Sequence, residues 1–91
     1  MIYDVEFTQE AIDGLQKLKR SEPSSFRKAQ KLMNELALHP TTGTGHPHQL
    51  SGDRAGQWSR SITKKHRLVY KIKETEIIVL VLSTYGHYDD K

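Results

Sequence analysis

The segment Gly56–Ile72, GQWSRSITKKHRLVYKI, restricts what this chain can fold into more than any other stretch. It reads as two strands joined by a tight polar turn. Strands project side chains to alternate faces, so the period of two can be read directly. In the first strand Trp58, Arg60 and Ile62 share one face, and Gln57, Ser59 and Ser61 the other. In the second, Leu68, Tyr70 and Ile72 point one way, and Arg67, Val69, Lys71 and Lys73 the other. One face of this hairpin suits a core. The other offers cations, and Arg60, Arg67, Lys71 and Lys73 are expected to form an exposed row suited to an anionic partner.

The flanking sequence supplies the remaining layer. Ile2–Phe7 alternates, and a first strand is expected with its Tyr3, Val5 and Phe7 face buried. Thr8 is placed to cap a helix in which Ala11, Ile12, Leu15 and Leu18 recur at helical spacing, weakened slightly by Gly14. Ser21-Glu22-Pro23 ends that helix and starts another, because proline is tolerated in a first turn. Phe26, Ala29, Leu32, Met33, Leu36 and Ala37 make its apolar stripe, and His39-Pro40 ends it. Thr41–His48 is a loop rich in Gly, Thr and Pro. Gln49-Leu50 suggests a short strand, and Ser51–Gly56 is turn-rich. After the hairpin, Ile77–Leu82 is apolar on both faces, which predicts a strand covered on both sides. The fold class expected is α+β. An N-terminal strand and a two-helix antiparallel hairpin lead into an antiparallel sheet meander, with the helices on one sheet face.

The chain has 91 residues, and residues 1–91 are expected to form a single small domain with one modest core. There are no cysteines, so no disulfide or thiolate–metal framework is available, which fits a reducing cytoplasm. No apolar run approaches the roughly 20 residues of a membrane span, so no membrane association is expected. The net charge of +3 favours an anionic partner only through where its cations lie.

Gly45-His46-Pro47, Gly56-Gln57-Trp58-Ser59-Arg60, Ile62-Thr63, His66-Arg67-Leu68-Val69-Tyr70 and the terminal Gly86-His87-Tyr88 together resemble the YoeB/Txe toxins of the RelE-like toxin–antitoxin superfamily. The resemblance spans nearly the whole chain, and the string W-S-R-x-I-T-x-x-H-R-L-V-Y carries it. It implies a ribosome-dependent endoribonuclease that cuts mRNA, a YefM-type antitoxin partner, a capacity to homodimerise, and operator DNA binding only through the antitoxin complex. It implies no cofactor and no metal. It places the phosphate-binding arginine on Arg67, the catalytic histidine on His87 and the following tyrosine on Tyr88. The family's general-base glutamate follows a Gly-x-Gly-x-Pro run, and here that position is His48.

Metal-free RNA cleavage needs a base for the 2′-hydroxyl, an acid for the leaving 5′-oxygen and a fixed cation for the charge growing on phosphorus. Arginine suits the last role because it stays protonated and grips phosphate with a planar fork. Histidine suits either proton role. His48, Arg67 and His87 are therefore the catalytic candidates. Tyr88, Tyr85, Arg60 and Lys65 are the candidates for substrate contact, the tyrosines by stacking bases. Without the resemblance Arg67 is an ordinary strand cation, His48 a loop residue, Trp58 core or half-core, and His66 a support of the hairpin turn. A zinc site from His46, His48, His66 and His87 lacks anchored ligand spacing and an acidic second shell. Two other readings stay open: a non-catalytic toxin of the gyrase-poisoning ParE type, and a co-repressor that acts only with its antitoxin.

Overall fold

The computed structural model of this chain describes residues 2–86. The order is β1 (Asp4–Phe7), α1 (Gln9–Ser21), α2 (Pro23–Leu38), β2 (His48–Gln49), a 3-10 turn at Gly52–Arg54, β3 (Gln57–Ser61), β4 (Arg67–Lys73) and β5 (Ile78–Ser83). The fold is α+β, as the sequence predicts. The described residues form a five-stranded sheet in the order β1-β5-β4-β3-β2. β2 to β5 make the expected antiparallel meander. β1 joins the far edge beside β5 in parallel, so the sheet is mixed. Parallel neighbours need a long crossover, and the two helices together with the meander provide it.

Thr8 begins α1 as its pattern predicts. The Ala11 N–H donates to Thr8 Oγ1 at 3.1 Å, and the Thr8 hydroxyl donates to the Leu82 carbonyl at 2.8 Å. One side chain thus caps the helix and ties it to β5. Glu22 sits between the helices and Pro23 opens α2. The core joins Ala11 and Leu18 of α1, Ala29, Leu32 and Leu36 of α2, and Ile62, Leu68, Tyr70, Val79 and Val81 of the sheet. Trp58 packs half-buried against it.

Two burial expectations change. Tyr3 and Val5 are half-buried against the core, but Phe7 is 37% exposed, because β1 lies at the sheet edge. In β5 only one face is buried: Val79 and Val81 are in the core, whereas Ile78, Leu80 and Leu82 are half-buried. The helices cover one face of the sheet, and Leu80 and Leu82 belong to the other. Strand pairing puts the residues opposite Ser59, Ser61 and Val69 on this helix-free face as well. It is the face that carries Arg67.

Candidate active site

His48 and Arg67 share the helix-free face. His48 pairs with Ser59 across β2 and β3, and Ser61, two residues further along, pairs with Arg67 across β3 and β4. By ordinary strand spacing their backbones lie about 12 Å apart, a span that two side chains can close around a phosphate. His48 is exposed, and its Nδ1 donates to the His46 carbonyl at 3.0 Å. A carbonyl only accepts, so Nδ1 carries the proton, and in the neutral ring Nε2 keeps its lone pair. The nitrogen able to accept a proton is thus the one turned away from the His46 carbonyl. Arg67 Nη1 donates to the Ser61 hydroxyl at 2.6 Å and, more weakly, towards the Thr63 carbonyl at 3.4 Å. Its other guanidinium N–H groups make no hydrogen bond among the described residues. One edge of the fork is thereby held by β3 and the turn that follows it.

The loop that delivers His48 is built on Arg60. The expected exposed row is corrected here: Arg67, Lys71 and Lys73 stay on the helix-free face, but Arg60 is wholly buried. It lies on the core face with Trp58 and Ile62, as strict alternation requires. Its Nε donates to the Tyr70 hydroxyl at 3.1 Å. Nη1 reaches Glu35 Oε1 at 2.9 Å and the Thr44 carbonyl at 3.3 Å. Nη2 donates to the Thr42 carbonyl at 2.8 Å and to the His39 carbonyl. A guanidinium so fully occupied is not available to substrate. Glu35 completes the network by accepting from the Thr44 hydroxyl at 2.7 Å and its N–H at 2.8 Å. These Thr44 bonds first, and then Arg60, hold the Glu35 carboxyl below the usual carboxylate range against the opposing cost of desolvation. Tyr70 donates onward to the Pro40 carbonyl at 2.7 Å. Burial raises its phenol above the ordinary value, although Arg60 opposes the shift. Gly45 lets the loop lie on β3: its carbonyl accepts from the Ser61 N–H at 2.7 Å. A Cβ there would stand 2.9 Å from the Ser61 carbonyl oxygen, and its φ of +87° disfavours other residues.

The other approach to Arg67 comes from the end of β5. The Arg67 N–H donates to the Gly86 carbonyl at 2.9 Å. His66, expected as a turn support and, beside Arg67, as a minor site candidate, is 2% exposed, with Nε2 2.9 Å from Glu22 Oε2 and Nδ1 2.9 Å from the Gly86 amide nitrogen. Sequence reasoning missed this pairing because its partners lie 44 and 20 residues away. The His66 bond is the largest influence holding the Glu22 carboxyl below the usual range. Tyr85 is 43% exposed, but its ring centroid lies 4.6 Å from that of His66 and 5.2 Å from Lys17 Nζ of α1. It is therefore seated against His66 and α1 with part of its ring open to solvent. Lys65 is exposed in the β3–β4 turn. His87 and Tyr88 lie outside the described residues. Among the described residues no three His, Asp or Glu side chains are grouped as metal ligands, and no helix is long and apolar enough to cross a membrane.

The Ser59 hydroxyl is a further polar group on this face. It is fully buried, pairs through its backbone with His48, and has no hydrogen-bond partner among the described residues. Nothing in the sequence distinguishes it from Ser61.

The sequence and the fold have known counterparts. Residues 7–88 match the model of the YoeB-like toxin of bacterial type II toxin–antitoxin systems. Toxin YoeB of Streptomyces coelicolor is 30% identical over 76 residues, which is 84% of this chain and 90% of that protein. A structure described as a YoeB/ParE toxin from Agrobacterium tumefaciens superposes with a TM-score of 0.87 at 30% identity, covering 93% of this chain and 99% of that one. Staphylococcus aureus YoeB, at 22% identity, shares the fold as a dimer and in its YoeB–YefM complex, with TM-scores of 0.82 and 0.81 over 97% of this chain and 100% of that one. The fold is that of the RelE-like toxins. Within that class the chain belongs to the YoeB family of type II toxin–antitoxin toxins.

Proposed function

We propose that residues 1–91 form one toxin domain that acts in the cytoplasm as a ribosome-dependent mRNA endoribonuclease. Cleavage proceeds by attack of the 2′-hydroxyl without a metal. Arg67 binds the scissile phosphate and stabilises the charge that develops on it. His48, through its free Nε2, takes the 2′-hydroxyl proton, and His87 protonates the leaving 5′-oxygen. Tyr88 and Lys65 contact the RNA. The observation that carries this reading is the half-tethered Arg67 fork on the same sheet face as His48, whose Nδ1–H is already committed to His46. A small domain with one short basic strand offers few phosphate contacts, so free RNA binds weakly and the ribosome supplies the orientation. The YefM partner of the Staphylococcus aureus relative supports a YefM-type antitoxin here, with operator DNA bound through that complex. The dimer of the same relative supports homodimerisation.

The test is single-turnover cleavage of ribosome-bound mRNA by wild type, Arg67→Ala and His48→Ala, each shown to be folded by circular dichroism. Losing a transition-state charge contact costs on the order of 100- to 1000-fold in rate, and Arg67→Ala is expected in that range. His48→Ala is expected to lose most of the rate, and wild type to cleave far more slowly without ribosomes. A folded Arg67→Ala protein with wild-type rate would overturn the assignment.

A further inference from the structure

Gly86, the residue before His87, is gripped at both its polar groups by two consecutive residues. His66 Nδ1 faces its N–H and the Arg67 N–H faces its carbonyl, each at 2.9 Å. The amide N–H can only donate, so Nδ1 presents a lone pair. The Glu22 carboxylate can only accept, so Nε2 carries the proton. His66 is therefore held as one neutral tautomer, spanning from the junction of α1 and α2 to the end of β5. The preceding residues are fastened alongside it: the buried Thr84 hydroxyl donates to the Ala11 carbonyl at 2.8 Å, and the Tyr85 ring lies against the imidazole.

We propose that His66 is a positioning residue of the nuclease site, whose neutral Nε2–H form fixes Gly86 against Arg67 and so sets the point from which the chain continues to His87. Protonation at Nδ1 would set one N–H against another and release Gly86. The groups around the ring carry both signs of charge. Glu22 is the carboxylate in contact with it, and Lys65 in the adjoining turn, Arg67 beside it and Lys17 over Tyr85 are the cations nearby. The role deepens the endoribonuclease reading and rests on it, whereas the grip on Gly86 stands independently.

Hydrogen exchange of the Gly86 amide in the full chain, followed by NMR with pH, measures the grip directly. In wild type its protection falls on acidification more than the intrinsic exchange rate explains. His66→Asn keeps an acceptor near the Nδ1 position and does not titrate, so Gly86 stays protected through the acidification that releases it in wild type. His66→Gln keeps a group towards Glu22 but loses that acceptor, and Gly86 protection falls about tenfold, as for one lost hydrogen bond. In single-turnover cleavage on ribosomes, His66→Gln is slowed at least as much while His66→Asn retains most of the rate. A wild-type Gly86 amide whose protection does not change with pH, or one indifferent to His66→Gln, overturns the grip. A Gly86 amide released in His66→Gln with an unchanged cleavage rate overturns the positioning role. Wild type that holds Gly86 through His66 but cleaves nothing overturns the nuclease reading, and the positioning role with it, while the grip stands.

Discussion

Both approaches to Arg67 are fastened in the same way but with opposite reversibility. In each, a buried nitrogenous side chain from the β3–β4 hairpin reaches a carboxylate at one end of α2. Arg60 takes Glu35, near the C-terminal end, and gathers the loop that leads to His48. His66 takes Glu22, at the N-terminal end, and gathers the turn that leads past Gly86. The guanidinium has no neutral form at any ordinary pH, and its N–H groups are taken up by backbone carbonyls, Tyr70 and Glu35. The imidazole has two protonation states and one bond in each direction. The fold therefore has a fastening with a single protonation state on the side of His48, and one with two on the side of Gly86.

The comparison breaks first at Arg60. Arg60→Met leaves the Tyr70 hydroxyl and the carbonyls of His39, Thr42 and Thr44 without the guanidinium donor, and leaves Glu35 with its Thr44 bonds but no cation. Removing one partner of a buried ion pair costs on the order of 3–5 kcal/mol, a large share of the stability of a domain this size. Arg60→Lys is expected to recover little, since one ammonium cannot replace a planar fork. Equilibrium urea unfolding measures both variants. If Arg60→Met unfolds at the same urea concentration as His66→Asn, the two fastenings are of equal weight and the contrast fails.

The next effect falls on the Gly86 side. A Cβ on Gly14 would stand 2.4 Å from Thr84 Oγ1 and 3.0 Å from Tyr85 Cβ. Gly14→Ala gains helix propensity of about 1 kcal/mol. It must also push aside a hydroxyl bonded to the Ala11 carbonyl and the start of the Tyr85 side chain. Overpacking of this kind costs typically 1–3 kcal/mol, so the net expectation is destabilisation, together with weaker protection of the Gly86 amide. A melting temperature raised by Gly14→Ala would show that the end of β5 yields freely and that α1 does not hold it.

These two residues also show what the sequence can and cannot disclose. Element types follow from local periodicity and caps, and Thr8, Pro23 and the alternation of β3 and β4 are read correctly for that reason. Alternation places Arg60 inward with Trp58 and Ile62, yet its charge argued for the surface. The acceptors that make burial tolerable come from residues 35–44, far away in sequence and themselves unremarkable. Gly14 reads as a weak helix position because its neighbour at close approach is Thr84, at the other end of the chain. The parallel docking of β1 on β5 is likewise a long-range pairing with no local mark. The double-sided apolar look of β5 arises because half-buried Leu80 and Leu82 are as hydrophobic as buried Val79 and Val81. Of the candidate site, Arg67 and His48 were legible through periodicity and resemblance. The tautomers of His48 and His66 were not, because the backbone groups that set them become neighbours only in the fold.

The smallest expected effect separates the two fastenings by pH. Glu22 and Glu35 are both held below the usual carboxylate range, so each binds a proton less readily in the folded chain than in the unfolded one. The stability they contribute is therefore complete above that range and is lost as pH falls through their lowered folded values. On the acid side both fastenings fail together, and neither Glu22→Gln nor Glu35→Gln should show the full acid slope of wild type in urea unfolding. Above the carboxylate range the two sides differ. Glu35 and Thr44 are held by a guanidinium, whereas the Gly86 side is held by an imidazole. The Thr44 amide, which donates to Glu35 at 2.8 Å, should keep its exchange protection during acidification from neutrality while the Gly86 amide loses some of its own. If the two amides lose protection in parallel, the acid response belongs to the whole fold, and His66 is no more a point of release than Arg60.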